Sequence, residues 1–394
     1  VFQYKHHIYT NIHLTVPWAT VDDCMQGVQG KTLGSSDTQV QGTNDDAQLS
    51  KLSCAKLGYF KDEFIQFFVK KKTVRRSPLI NRGYYSRYAG LRMLQQKFLH
   101  ATSSSGTPAQ FLILGAGFDT TWFQLASEGQ APTKCLELDF AEVTKRKAAM
   151  IASHPPLMDL LRGQAGGKHA QDQGNGEASP PSTSLEKVQV LPVQGEVMCG
   201  DGAYSVLPAD LRDLQAVEAA IQRAGLDTSA PTLILSECVL VYMEPSDSSN
   251  LIRMLGQTFS NAAIVVYEQV RPHDAFGRQM RSNLEERGCP LLGLTSTPTL
   301  EAHCERLTRN SWESAAAWDM DTVYKARLDA ADRSRIERLE IFDEFEEWHM
   351  IQEHYCITVG INKRNAQDNR LGSNVLDGFG FGSPQSSSTS SDFS

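Results

Sequence analysis

One short segment constrains the fold more than any other part of this sequence. Phe111-Leu-Ile-Leu is a continuous apolar run that leads directly into Gly115-Ala-Gly117. An apolar run without polar alternation is typical of a strand buried on both faces, and glycine permits the tight turn that must follow it. The segment therefore predicts the strand–turn–helix unit of a nucleotide-type α/β fold.

Three later segments repeat this strand pattern, namely Cys135–Asp139, Pro231–Glu237 and Ala262–Tyr267. Helical patterns lie between them, notably over residues 246–259, where Ser and Asp at the start can cap a helix. Alternating strands and helices predict a doubly wound, mostly parallel sheet. In such sheets ligands bind at the carboxyl ends of the strands, so we expect Gly115, Asp139 and Glu237 to meet in one crevice.

Further elements are predicted before and after this sheet. Phenylalanines at positions 60, 64, 67 and 68 recur at helical spacing, as do Leu91, Leu94 and Phe98, and they predict an N-terminal helical cap. Residues 354–361 predict a late antiparallel strand at the edge of the sheet. We place one folded domain at 45–361, a poorly ordered extension at 1–44, a disordered insertion at 163–184 and a Ser/Gly-rich disordered tail at 362–394.

Composition narrows the function classes. The chain has 38 Lys and Arg against 46 Asp and Glu, a net charge of −8, which disfavours nucleic acid as the main partner because phosphate binding needs clustered cations. No apolar run approaches the roughly 18 residues of a membrane span. The basic run 70–76 can be read as a nuclear signal, a docking patch or a solvated helix end.

Cysteine and histidine spacing gives no metal or disulfide signature. The eight Cys include no C-x-x-C, and the ten His include no H-E-x-x-H. We therefore predict reduced thiols, no metal, and a cytoplasmic protein, with the nucleus as a second compartment if the basic run is a nuclear signal.

The glycine turn does not by itself identify its ligand. A dinucleotide site requires G-x-G-x-x-G, but Thr120 stands at the third glycine position. This departure weakens the NAD interpretation and suits S-adenosylmethionine, which has no phosphate and needs a glycine turn and an acid for its ribose, here Asp139. An ordinary tight turn without a ligand remains the alternative.

Four motifs occur together and in order, namely Asn81-Arg-Gly-Tyr-Tyr-Ser-Arg87, Leu114-Gly-Ala-Gly-Phe-Asp-Thr-Thr121, Ala209-Asp-Leu-Arg-Asp-Leu214 and Ser236-Glu-Cys-Val-Leu-Val-Tyr-Met243. With them the chain resembles the leucine carboxyl methyltransferase family over about residues 45–361, interrupted by the 163–184 insertion. Shorter matching pieces include 274–280 and 339–344. The resemblance implies a class I S-adenosylmethionine-dependent methyltransferase fold with substrate-side insertions.

The resemblance also implies an activity and a partner. The family methylates the C-terminal leucine carboxylate of the protein phosphatase 2A catalytic subunit and so regulates holoenzyme assembly; we expect this chain to do so as a monomer. One alternative is a tRNA-modifying relative, which carries an added propeller of roughly 50-residue repeats that the sequence does not show. Another is a non-catalytic, cofactor-bound module that only captures phosphatase tails.

The resemblance also implies which residues bind the cofactor. Lys51 and Arg87 hold its methionyl carboxylate, and the Gly115 to Gly117 turn lies beneath that end. Asp139 accepts the ribose hydroxyls. Glu237 faces the cofactor's amino group. The alternative for Lys51 is a solvated helix residue without a role in binding.

The remaining implied residues lie at the adenine and at the substrate. Asp210 and Leu211 line the adenine pocket, although the sequence around Asp210 also suits a helix N-cap. Tyr242 lies near the substrate terminus and, with Arg87, forms the catalytic pair. Because a leucine carboxylate is ionised near neutral pH, we expect no general base, and alignment should supply the rate enhancement.

Overall fold

The computed structural model describes residues 36–70, 75–166, 188–200, 202–364 and 374–382. Its strands are β1 Gln110–Leu114, β2 Lys134–Asp139, β3 Val188–Leu191, β4 Glu196–Cys199, β5 Tyr204–Pro208, β6 Thr232–Glu237, β7 Asn261–Gln269, β8 Ser314–Asp319 and β9 Tyr355–Lys363. They form one nine-stranded sheet in the order β3-β4-β5-β2-β1-β6-β7-β9-β8.

Helices before and between the strands cover both faces of this sheet. They are α1 Ser36–Leu57, α2 Pro78–Ser104, α3 Thr121–Ser127, α4 Ala141–Ser153, α5 Pro155–Gly166, α6 Leu214–Arg223, α7 Pro245–Thr258, α8 Ala275–Glu286, α9 Leu300–Thr308, α10 Met320–Ala326, α11 Ala330–Ile336 and α12 Phe345–Glu353. Within the described ranges, none of the helices combines the length and apolar character needed to span a membrane.

Local sequence explains where several helices begin. Pro78 stands in the first turn of α2, where its missing N–H costs no hydrogen bond. The carboxylate of Asp274 caps α8 by accepting from the Gly277 N–H at 2.7 Å. Asp319 caps α10 in the same way through the N–H of Thr322 at 2.8 Å.

The central strands β5, β2, β1, β6 and β7 are parallel, which confirms the predicted doubly wound, mostly parallel sheet. Every residue of β1 is buried, as its unbroken apolar run predicts. In the sheet register, Leu114 at the end of β1 lies beside Leu138 of β2 and Ser236 of β6. The sheet therefore places the residues that follow these strands at one common edge.

The last strand is antiparallel as predicted, but its predicted edge position is wrong. Strand β9 pairs with β7 on one side and with β8 on the other, both antiparallel, so β8 forms the edge. Strand β8 was missed because Ser314-Ala-Ala-Ala has no strong strand pattern and is only partly buried. It forms because β9 offers a free edge for pairing.

The domain begins earlier than the sequence analysis placed it. Helix α1 starts at Ser36, so residues 36–44, which we assigned to a poorly ordered extension, belong to a helix that packs on α2. Residues 1–35 lie outside the described part of the chain. Of the predicted insertion, residues 163–166 complete α5, and the others are also outside the described ranges.

Part of the predicted disordered tail is packed against the domain. Strand β9 extends to Lys363, and Leu376 and Phe381 are buried. The ring of Phe381 meets Trp318 edge-on at 5.3 Å between centroids, and Phe379 meets Phe98 at 6.1 Å. These aromatic contacts hold residues 374–382 on the folded domain.

Replacing Phe381 by alanine is expected to lower the free energy of unfolding by about 2–4 kcal/mol, because it removes a buried ring and its contact with Trp318. Denaturant unfolding followed by circular dichroism measures this change. Val193→Ala is the control, since its side chain is exposed and its loss should change stability by less than about 0.5 kcal/mol. Equal free energies of unfolding for the two variants would show that packing of residues 374–382 does not stabilise the domain.

Candidate active site

Three charged side chains from three elements meet at the carboxyl edge of the sheet. Glu237 is the last residue of β6. One of its carboxylate oxygens accepts a very short hydrogen bond from the Nε of Arg87, which lies on α2. Its other oxygen lies 3.6 Å from the Nζ of Lys51, on α1. Burial opposes ionisation of Glu237, but Arg87 and Lys51 outweigh burial and lower the pKa of this carboxyl to about 2. Two cations therefore share one permanently ionised acid.

The glycine turn beside this triad adopts a backbone that requires glycine. Gly115 has φ of +59°, and a Cβ placed on it would lie 2.5 Å from the side chain of Val239. Gly117 has φ of +51°, and its N–H donates to Oδ2 of Asp139 at 2.7 Å. The Phe140 N–H donates to the other Asp139 oxygen, also at 2.7 Å. Two backbone donors thus hold Asp139 against the turn.

Helix α1 lies across this edge of the sheet and closes part of it. The Oδ1 of Asn44 accepts from the Phe118 N–H at 3.1 Å and lies directly over Gly117. Farther along α1, Asp45 pairs with Arg146 on α4 at 2.6 Å. Asn44 was not predicted as a site residue, because its polar segment was assigned to the extension.

Asp210 and Leu211 follow β5 and lie next to Asp139. The Ala209 N–H donates to the backbone oxygen of Asp139 at 2.9 Å, which brings the two strand ends together. The Asp210 carboxylate pairs with Arg212 at 2.6 Å, and this hydrogen bond lowers the pKa of Asp210. The side chain of Leu211 is buried in the core. The N-cap interpretation of Asp210 is wrong, because Asp213 caps α6.

Arg212 also links this strand end to α1. Its guanidinium pairs with Asp37 at 2.9 Å and lies over the ring of Phe140 at 5.6 Å. The pairing adds a contact between helix α1 and the edge where β2 and β5 end.

Aromatic rings pack against the guanidinium of Arg87. Its guanidinium lies 4.8 Å from the ring centre of Tyr267 and 5.7 Å from that of Tyr84. Tyr267 in turn stacks on Tyr355 at 5.5 Å. None of these three tyrosines was predicted as a site residue, although Tyr267 lies at the end of a predicted strand, where site residues are expected.

Tyr242 lies in a short 3-10 helix, Leu240–Tyr242, that follows β6. Burial raises the pKa of Tyr242, and the nearby Cys238 and Tyr355 raise it further. The hydroxyl therefore stays protonated at neutral pH and can donate a hydrogen bond. Cys238 precedes this helix with φ of +55°, an uncommon backbone for a residue with a side chain.

A buried ion pair supports the loop beneath the crevice. Glu137 of β2 and Lys147 of α4 are fully buried and in direct contact. The ammonium of Lys147 also donates to the backbone oxygen of Asp119 at 2.8 Å, and Asp119 lines the crevice with Lys51, Arg87, Ser236 and Glu237. The pair therefore holds the loop that follows the glycine turn.

This donor set fits the amino-acid end of S-adenosylmethionine. That end is a zwitterion, so it needs cations for its carboxylate and a carboxylate for its ammonium, and Lys51, Arg87 and Glu237 supply both. The Ser236 hydroxyl is buried at the same place and has no hydrogen-bond partner among the residues that the structure describes. Across the described ranges, His, Cys, Asp and Glu do not form a group of three that could share a metal ion.

Comparison with known proteins identifies relatives over most of the chain. The family model for leucine carboxyl methyltransferase matches residues 40–256. Leucine carboxyl methyltransferase 1 homolog of Arabidopsis thaliana is 47% identical over 83% of this chain and 90% of its own length. Leucine carboxyl methyltransferase 1 of Bos taurus is 37% identical, over 82% and 90%. tRNA wybutosine-synthesizing protein 4 of Homo sapiens is 40% identical over 81% of this chain but only 43% of its own length.

Proposed function

The chain belongs to the leucine carboxyl methyltransferase family, and we propose that it methylates the C-terminal leucine carboxylate of the protein phosphatase 2A catalytic subunit. It is an S-adenosylmethionine-dependent carboxyl methyltransferase, as the resemblance of its motifs predicted. The product is a leucine methyl ester, which removes the negative charge from the end of the phosphatase chain. We propose that this loss of charge regulates assembly of the phosphatase holoenzyme.

The observation that carries the proposal is the shared ion cluster of Lys51, Arg87 and Glu237. Glu237 would hold the ammonium of the bound cofactor, and Lys51 would hold its methionyl carboxylate. Arg87 has several donors in a planar fork, so it can bind that carboxylate and also face the substrate side.

The neighbouring residues hold the rest of the cofactor in this proposal. The turn from Gly115 to Gly117 allows close approach of the backbone, and Asp139 accepts the ribose hydroxyls. Asp210 and Leu211 border the adenine, since they follow β5 beside the end of β2. Asn44 closes the turn from above.

The chemistry follows from this arrangement. S-adenosylmethionine supplies an electrophilic methyl group on a sulfonium sulfur. The leucine carboxylate is already ionised near neutral pH, so no residue of the chain has to remove a proton. Arg87 and the protonated Tyr242 hydroxyl replace part of the water that the carboxylate loses, and they orient it in line with the methyl group.

A direct assay tests the proposal. The chain is incubated with methyl-labelled S-adenosylmethionine and the folded phosphatase catalytic subunit, with its terminal leucine intact, deleted or amidated. We expect label only on the intact subunit, and release of that label by mild base because it is an ester. An amide has no anionic oxygen, so amidation should reduce labelling to background.

Three results would overturn the proposal. Label on the amidated tail would exclude carboxyl transfer. Cofactor binding without turnover would show a non-catalytic binding module. Label on a tRNA added in parallel, with none on the phosphatase, would favour the activity that the human relative's name describes.

A further inference from the structure

A surface outside the crevice exposes large apolar side chains among carboxylates. It is formed by residues 339–347, Leu-Glu-Ile-Phe-Asp-Glu-Phe-Glu-Glu, which include five acids and no Lys or Arg. Ile341 is 93% exposed and Phe345 is 53% exposed. We call this segment the 339–347 ridge. It matches the family in part, yet none of its residues lines the crevice.

The ridge is held in place by its own inward-facing residues. The side chain of Glu340 is only 4% exposed and accepts from the Tyr59 hydroxyl at 3.0 Å and the Asn81 amide at 2.9 Å. On the other side of Ile341, the guanidinium of Arg82 lies over the Phe342 ring at 3.8 Å. Ile341 therefore projects into solvent between two anchored neighbours, an arrangement that adds no apolar burial to the isolated chain.

The same contacts connect the ridge to the helices that carry the ion cluster. Asn81, which binds Glu340, also accepts from the Ser53 hydroxyl on α1 at 2.9 Å. Lys51 lies two residues before Ser53. Arg87 lies six residues after Asn81 on α2, about 9 Å along the helix axis. The ridge and the crevice thus share two rigid helices and are near each other.

The charge of the ridge restricts what can cover it. Glu340 is already paired with Arg75 at 3.3 Å, so in the described part of the chain the uncompensated acids of the ridge are Asp343, Glu344, Glu346 and Glu347. A symmetric dimer through the ridge would bring two sets of these carboxylates together, and an anionic membrane surface would repel them. Burial raises the pKa of the Glu344 carboxyl, and the nearby carboxylates of Glu347 and Asp343 raise it further. The acids of the ridge therefore already repel one another. A partner that presents Lys and Arg around an apolar patch complements both the charge and the exposed side chains.

We propose that the 339–347 ridge docks the folded body of the protein whose C-terminus is methylated, through a basic surface with an apolar centre. This inference rests on the proposed function, because it assumes a protein substrate whose tail enters beside Arg87. Docking at the ridge holds the acceptor's body while its terminal carboxylate is aligned, so remote binding energy contributes to transfer.

The test compares a folded substrate with a short one. Ile341→Ser and Glu346→Lys are assayed with the intact phosphatase catalytic subunit and with a synthetic peptide of its C-terminal tail. Both residues are exposed, so the variants should fold normally. We expect kcat/KM for the folded subunit to fall roughly tenfold in each variant, mainly through KM, while kcat/KM for the peptide stays unchanged.

Val193→Ser is the matched control, since Val193 is 81% exposed in the turn between β3 and β4, at the end of the sheet opposite β8. It should leave both substrates unaffected. Unchanged kcat/KM for the folded subunit in both ridge variants would overturn the docking role, and so would equal losses on the two substrates. A wild-type dimer that Ile341→Ser dissociates would assign the ridge to self-association instead. No labelling of the phosphatase by the wild-type chain would overturn the proposed function itself, and this inference with it.

Discussion

Replacing Arg87 by alanine is expected to lower methyl transfer by at least about a thousandfold and to reduce the free energy of unfolding by about 3–5 kcal/mol. The variant removes the nearest cation from Glu237, whose side chain is 23% exposed and keeps Lys51 at 3.6 Å as its remaining charge partner. It also removes the guanidinium that lies over Tyr267. Labelled methyl transfer and denaturant unfolding measure the two effects.

A second substitution separates the two effects of losing Arg87. In the double variant Arg87→Ala/Glu237→Gln, the uncompensated charge of Glu237 is gone, so much of the stability should return while activity stays absent. Arg87→Lys keeps the charge but loses the planar fork, and it should retain stability better than activity. An Arg87→Ala protein with normal transfer would exclude Arg87 from the catalytic pair.

Asp139→Ala is expected to raise the dissociation constant for S-adenosylmethionine by at least about a hundredfold. A carboxylate that accepts hydrogen bonds from two hydroxyls contributes roughly 1.5–3 kcal/mol to the binding free energy for each bond. The structure adds a second expectation, because the Gly117 and Phe140 N–H groups lose their acceptor. We therefore expect a lower melting temperature as well, although from the sequence alone a strand-end acid should be dispensable for the fold.

Calorimetric titration well below the melting temperature isolates the change in affinity. Asp210→Ala is the comparison, since its carboxylate is partly exposed and paired with Arg212 outside the turn. Its effect on affinity should be clearly smaller than that of Asp139→Ala. Equal affinities of the Asp139→Ala and wild-type proteins would remove Asp139 from the proposed cofactor site.

The active-site region was only partly predictable. The motifs that resemble the family include Arg87 and Glu237, but they do not show that Glu237 binds Arg87 and Lys51 at once. Asn44 was overlooked because nothing in its local sequence indicates that helix α1 lies over Gly117. Tyr267 and Tyr355 come from antiparallel strands, and their stacking depends on how β7 pairs with β9.

The sequence by itself determined the centre of the sheet. The apolar run from Phe111 to Leu114 and the glycines after it have one low-energy solution, a buried strand and a turn with positive φ, so local physics suffices. Tertiary structure alone decided the helical state of residues 36–44, the edge position of β8 and the packing of Phe381 on Trp318. These segments have weak local patterns, and their structure comes from contacts with residues far away in the chain, whose burial compensates the entropy of ordering them.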